Sequence, residues 1–210
     1  LWNINLKMKI LYQGFPGAYS HLAALEIYPD AEIIACKTFD ECFTKAKEDN
    51  KLKIIIPESN RITGNIGIEY LMFKHRLNIF AEHFLQIEHN LLGLRGSKLE
   101  DVKNVFSHAQ ALSQCSNFIK KNKFIENVHA DTAGSAELIS KSKKKSEAAI
   151  ASKLSAKIYK LDVLASNIEN EKKNATRFLI MGSSVSQPEL KKGKYITSFL
   201  FKLKSKPAAL

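Results

Sequence analysis

The 210-residue sequence predicts an α/β fold. Two observations predict it. Strand-like and helix-like patterns alternate as β-α-β-α-β over the stretch that ends at Pro57. Hydrophobic residues make up 45% of the chain, enough to bury a core as one domain or as two small lobes.

The elements follow in order. MKILYQG (8–14) is a strand running into a turn made tight by Gly14, Pro16 and Gly17. SHLAALEIY is a helix ending near Pro29, and AEIIAC (31–36) is a strand. TFDE opens the next helix: Thr38 caps, Glu41 follows three later, and Phe39, Cys42, Phe43 and Ala46 fall on one stripe. KLKIIIP (51–57) is a buried strand stopped by proline. GNIGIEYLMFK suggests a helix, and LNIFAEHFLQIEHNLLGL (77–94) is strand-rich, passing to a second lobe near Glu82 and His83. NVFSH is a strand end, AQALSQCSNFIKK a helix, NVHA a strand and DTAGSAELIS the start of a helix. SEAAIASKLSAKIYKL (146–161) has the strongest helical pattern: Ser146 caps, and Ile150, Leu154, Ile158 and Leu161 line one face. TRFLIMG returns as a strand, and YITSFLFKLK (195–204) is a further strand with nothing after it to pair with.

The net charge is +11, with lysine gathered in runs such as KKNK (120–123) and KSKKK (141–145). Arginines are few (Arg61, Arg76, Arg95, Arg177), and no aromatic residues interleave with the basic ones. This is a solvated lysine surface with a general attraction for anions, not a nucleic-acid footprint. Three cysteines, Cys36, Cys42 and Cys115, read as free thiols of a reducing compartment. No apolar run is long enough to span a bilayer, and no secretory signal opens the chain, so a cytoplasmic protein with no membrane partner is expected. The histidines show no metal-ligand spacing, and no dinucleotide, Walker or nucleophile-elbow motif occurs, so neither metal nor organic cofactor is expected.

Chemistry in α/β proteins gathers where strands end and polar helix starts begin. There are four such junctions. GFPGAYSH offers backbone amides and Ser20 to an anion, although a plain turn and cap explains it as well. PESNRITGN offers Glu58, Ser59, Asn60 and Arg61. In FSHAQALSQC, Ser107 and Gln110 have capping-box spacing, and Gln110 and Gln114 share a helix face. ADTAGSA offers Asp131, whose plainer reading is an N-cap. A last stretch, NATRFLIMG (174–182), sets Asn174, Thr176 and Arg177 at the mouth of a buried strand.

These junctions, in this order, resemble the motifs of prephenate dehydratases. The matching pieces include YQGFPGAYSHLAA (12–24), IIPESNRITGNI (55–66), AEHFLQIEHNLLGL (81–94), LEDVKNVFSHAQALSQC (99–115), ADTAGSAELI (130–139) and the Thr176-Arg177-Phe178 triplet. The resemblance covers roughly residues 8–185. It implies two α/β lobes around a cleft, similar to a type II periplasmic binding protein, with lobe 1 about 8–81 plus 179–190 and lobe 2 about 82–178. It implies conversion of prephenate to phenylpyruvate in phenylalanine biosynthesis, in a homodimer without cofactor. Thr176 would be the proton donor, Arg177 a carboxylate clamp or brace, and Asn60, Ser107, Gln114 and Asp131 further catalytic positions. Ser20, Glu58, Ser59, Asn174 and Phe178 would contact substrate. Residues 195–210 resemble the start of a phenylalanine-binding ACT domain, whose incompleteness implies lost feedback control. Two other readings stay open: an arogenate dehydratase, and a non-catalytic anion-binding relative. The latter is motivated by one departure. The family has Pro-Ile-Glu-Asn-Ser where this chain has Pro57-Glu58-Ser59-Asn60-Arg61, so Glu58 falls one residue early, which on a regular strand turns it to the opposite face. That change is expected to weaken catalysis.

Overall fold

The computed structural model describes residues 7–184 and residue 201. The strand expected at 195–204, and the ACT-domain start at 195–210, fall outside the described residues except for Phe201.

The opening alternation is present as β1 (Lys9–Gln13), α1 (Tyr19–Ile27), β2 (Glu32–Cys36), α2 (Phe39–Glu48) and β3 (Leu52–Asn60). Thr38 caps α2 as its sequence demands, its hydroxyl accepting from the Glu41 amide, while Cys42, Phe43 and Ala46 are buried on the inner stripe. A two-residue strand, β4 (Gly64–Asn65), folds back on β3, and α3 (Glu69–His75) leads to β5 (Asn78–Gln86). The second lobe contains β6 (Asn90–Gly93), β7 (Asn104–Ser107), α4 (Ala109–Gln114), α5 (Ser116–Asn122) and β8 (Ile125–Val128). It continues with α6 (Thr132–Lys141), β9 (Glu147–Ala151), α7 (Lys153–Tyr159) and β10 (Asp162–Ala165), and the chain then returns as β11 (Ala175–Gly182).

Both sheets follow one plan. The first is ordered β2-β1-β3-β11-β5 and the second β8-β7-β9-β6-β10. In each, three strands of a βαβαβ unit run parallel with the first strand central, and the next strand is antiparallel. The antiparallel strand of each lobe, β11 or β6, is adjacent in the chain to the other lobe. Two segments therefore cross between lobes, at 87–89 and 166–174. The crossing lies later than Glu82 and His83, and β11 belongs wholly to lobe 1. The reason is pairing: β5 pairs with β11 from Asn78 opposite Gly182 to Gln86 opposite Ala175, with one register shift between Ile180 and Met181. Apolar clusters fill both sides of each sheet, Leu11, Phe43 and Ile56 on one side of the first and Ile10, Tyr12 and Phe178 on the other.

One expected helix is not formed as predicted. Residues 146–161 divide into β9 and α7. Ala148, Ala149, Ile150 and Ala151 are all fully buried, between β6 on one edge and β7 on the other. A helix buries one stripe; a central strand covered on both faces buries every residue. The alanines favour a helix locally, but the gap between two half-built sheet edges decides, and small side chains let α6 pack closely on the strand. Ser152 then caps α7, accepting from the Ser155 amide at 3.1 Å. The same two serine hydroxyls donate across the lobes to the Gly17 carbonyl, at 2.6 and 3.0 Å. Gly17 has φ +95, and a Cβ there would lie 2.5 Å from the Ser155 hydroxyl, so both the turn and the close approach require glycine.

Candidate active site

The four junctions and the return strand converge on one cavity of about 190 Å³ between the lobes. Its wall includes Ala18, Tyr19 and Ser20 from the start of α1, Pro57 and Asn60 from the end of β3, and Gln110 and Gln114 from α4. Asp131 and Thr132 come from the start of α6, and Thr176 and Phe178 from β11. Thr176 and Phe178 are two apart and so share a strand face.

Behind this wall runs a chain of buried amides. The Asn60 carbonyl oxygen accepts from the backbone amides of Ile62 and Thr63 at 3.0 and 3.2 Å. Those two donors set the orientation of the Asn60 amide, so its Nδ2 group faces the other way. It donates to Asn174 Oδ1 at 2.8 Å and to Thr176 Oγ1 at 2.9 Å. Asn174, with no exposure, then donates from Nδ2 to Gln114 Oε1 at 3.0 Å. His89 Nε2 lies 2.8 Å from the same oxygen, and its Nδ1 lies 2.8 Å from the Tyr19 hydroxyl. The chemical consequence falls on Thr176. Its oxygen accepts from Asn60, so its own proton is free to be given to a group in the cavity.

None of the described residues lining the cavity is Lys or Arg, and Asp131 is the one carboxylate among them. The α1 N-cap, Ala18, has no side chain able to cap, so the first amides of that helix meet the cavity uncapped. At α6 the amide of Gly134 is taken by Asp131 Oδ1 at 2.5 Å, which makes Asp131 an N-cap at the cavity edge. Burial holds His89 and His21 below the ordinary histidine value, and it pushes the Tyr19 phenol well above its own. Both imidazoles are thus neutral near pH 7, and the phenol keeps its proton. Among the described residues no three His, Cys, Asp or Glu side chains gather as metal ligands.

A family model described as prephenate dehydratase matches residues 10–186. The chain belongs to the prephenate dehydratase family. The protein named arogenate dehydratase/prephenate dehydratase 1, chloroplastic, of Arabidopsis thaliana is 41% identical over 206 residues, covering 97% of this chain and 52% of that protein. A bifunctional N-acyl-homoserine lactone acylase/prephenate dehydratase of Komagataeibacter europaeus is 32% identical over 202 residues, covering 96% of this chain and 72% of that one. The crystal structure of the prephenate dehydratase from Staphylococcus aureus shares 26% identity at a TM-score of 0.74, over 85% of this chain and 67% of that one. The chain spans about half the length of the curated plant relatives it matches.

Placed on this prephenate dehydratase fold, the predicted residues separate into groups. Ser20, Asn60, Gln114, Asp131, Thr176 and Phe178 line the cavity, and Asn174 stands directly behind it. Ser107 does not reach it and does not cap α4. It is fully buried in β7, its hydroxyl donating to the Ile150 carbonyl at 2.6 Å, while His108 is the cap and accepts from the Gln110 amide. The helix begins one residue later than its capping-box spacing predicts, because Ser107 remains in the β-ladder opposite Val128.

Arg177 also points away from the cavity. Its Nε donates to Glu82 at 2.7 Å and its Nη1 to Glu58 at 3.3 Å. On a strand the residue between Thr176 and Phe178 must face the other way, which makes Arg177 a brace and not a wall. The departure from the family motif at Glu58 coincides with an irregularity in the strand. Ser59 pairs with Arg177 and Pro57 with Phe178, leaving Glu58 as the extra residue of a β-bulge. The bulge breaks the regular alternation at this point, and Glu58 meets Arg177. Glu58 and Ser59 stay together, the Ser59 hydroxyl donating to the Glu58 carboxylate at 2.6 Å, and neither lines the cavity. Arg61 is exposed and adds no side chain to the wall.

Tyr19 and His89 had no marker in the sequence that singled them out. Tyr19 stands next to Ser20 in a junction, and His89 is one of several scattered histidines. Only the folding of a crossing segment against α1 and α4 brings them into line with Gln114.

Proposed function

We propose that the chain is the catalytic region of an enzyme that converts prephenate to phenylpyruvate, water and carbon dioxide. The observation that carries this reading is the donor state of Thr176, whose oxygen is occupied by Asn60 Nδ2 at 2.9 Å while its proton is left for the cavity. In the reaction the ring carboxylate departs as carbon dioxide. Its bonding electrons enter the ring, and the ring hydroxyl departs with the electrons of its own C–O bond. One proton is needed to release that hydroxyl as water. Thr176 delivers it as a positioned hydroxyl within a polar network, and solvent restores it, since a free threonine alkoxide is too costly to persist. The uncapped start of α1 receives a substrate carboxylate. Phe178 and Pro57 give the ring an apolar surface.

Purified chain incubated with prephenate should produce phenylpyruvate absorbance above the spontaneous acid-driven background, and Thr176→Ala should remove most of it. Absence of an enzyme-dependent rise would end the proposal. A second reading has a specific basis: the plant relative's name couples arogenate with prephenate. Arogenate carries an amino acid in place of the keto acid, and parallel kinetics on both substrates decide between them. A non-catalytic relative would bind prephenate in calorimetry without turnover. The expected homodimer is part of the same reading and is tested by light scattering. A cytoplasmic setting rests on three buried free thiols and is tested by fractionation.

A further inference from the structure

The amide chain ends in a residue that touches neither the cavity nor the reacting atoms. Asn60 Oδ1 is fixed by two backbone donors, so each later amide in the chain has one permitted orientation. Asn60 Nδ2 requires an oxygen from Asn174, and Asn174 Nδ2 requires an oxygen from Gln114. Gln114 Oε1 therefore accepts twice, from Asn174 at 3.0 Å and from His89 Nε2 at 2.8 Å. Two acceptances use both lone pairs of that oxygen. The Gln114 amide nitrogen is left for the cavity that Gln114 lines.

We infer that His89 is a positioning residue, held in its Nε2–H tautomer, which locks the Gln114 amide so that its NH₂ group is presented to substrate alongside the Thr176 hydroxyl. Its catalytic consequence rests on the dehydratase reading; its geometry does not. On the other side of the ring this tautomer leaves Nδ1 as an acceptor. With Nε2 carrying the proton, neutral Nδ1 accepts from the Tyr19 hydroxyl 2.8 Å away, and Tyr19 packs edge-on against the imidazole at 5.5 Å. The same hydroxyl also donates to the Glu88 carbonyl at 2.9 Å, so its single proton is shared between that oxygen and Nδ1. The His89 backbone amide donates to Glu169 at 2.9 Å, which holds the residue in place from the second crossing segment. The titratable groups facing His89 are thus Tyr19 from α1 and Glu169 from the segment before β11. The result is a device spanning both lobes: α1, the two crossing segments, α4, β3 and β11 all supply members.

The test has two arms. Long-range ¹H–¹⁵N NMR of the wild-type chain at pH 7.5 should show His89 as the Nε2–H tautomer; an Nδ1–H tautomer would overturn the inference whether or not the chain is active. With prephenate, His89→Phe should lower kcat/KM by about 10- to 100-fold. His89→Gln, whose amide reaches the Nε2 position, should regain most of that loss, while His89→Asn should not. In a Gln114→Ala background, His89→Phe should add little further loss. Multiplying losses, or equal behaviour of His89→Gln and His89→Asn, would show that His89 does not act through Gln114. A wild-type chain that has the Nε2–H tautomer but no turnover would sink the dehydratase reading and leave the positioning geometry standing.

Discussion

On one face of β11, Thr176 ends a buried chain of uncharged amides; on the other, Arg177 is held half-buried between two carboxylates. Both residues are fixed by β3 and its neighbours, but by different physics. The amide chain works through hydrogen-bond direction. Donors and acceptors match in only one set of orientations, and a wrongly turned amide leaves a buried polar group unpaired at about 1–3 kcal/mol. The ionic face works through charge, which tolerates changes in angle and distance and is screened by solvent. The face that borders the cavity uses the directional kind, which a proton donor there would need, since its proton must point the right way. The face that braces the strand has no such need. On the Arg177 side β3 bulges at Glu58, while Asn60 keeps its place opposite Thr176.

The comparison can be broken in four ways. Thr176→Ala should have the largest effect, lowering kcat by about 10²- to 10⁴-fold, at a stability cost of about 1–3 kcal/mol for the Asn60 N–H that loses its acceptor; Thr176→Ser should retain much of the rate. An equal loss in both would place the role in the methyl group. Next, Asn60→Leu should unpair two loop amides and free the orientations of Asn174 and Thr176. A stability loss of about 1–3 kcal/mol in urea titration is expected, together with a fall in kcat. Stability without loss would mean the network is slack.

The third test is pH. Burial lowers the values of both His89 and His21, whose ordinary value is 6.5. Near pH 6 the unfolded chain binds more protons than the folded one, so stability increases with pH across this range. It should be complete above about pH 6.5 and decline as pH falls through the folded-state values. His21 adds to this because its Nδ1 accepts from the Gly17 amide at 3.0 Å, a bond that protonation removes. Urea midpoints at pH 7.5 and 5.5 measure the change; a flat profile would contradict it. The smallest effect is expected on the charged face. Glu82→Gln weakens a partly exposed ion pair and should cost about 1 kcal/mol or less, shrinking further in high salt. A large, salt-independent loss would show that the Arg177 face is as directional as the Thr176 face.

Much of the fold is legible in short stretches. The opening alternation, the Thr38 cap and the buried strand ending at Pro57 depend on neighbours a few residues away, and they form as their patterns predict. The run at 146–161 does not, because helical spacing in an alanine-rich segment says nothing about the two sheet edges waiting on either side. Ser107 departs from its spacing for a related reason: it satisfies the capping-box pattern, but strand pairing with β8 holds it in the ladder. Arg177 shows the limit of motif reading. Its identity marks the family, while its direction follows from alternation beside Thr176.

The sequence by itself determined the α/β class, the family and most of the residues around the cavity, because these follow from local periodicity and ordered motifs. Only the tertiary structure decided that Glu58 bulges out to meet Arg177 and that β11 belongs to the first lobe. It also decided that Tyr19, His89, Gln114, Asn174, Asn60 and Thr176 form one hydrogen-bonded line. Those facts depend on pairings between residues as far apart as Asn60 and Thr176. Hydrogen-bond direction between such partners exists only once both lobes have packed and water has been excluded from between them.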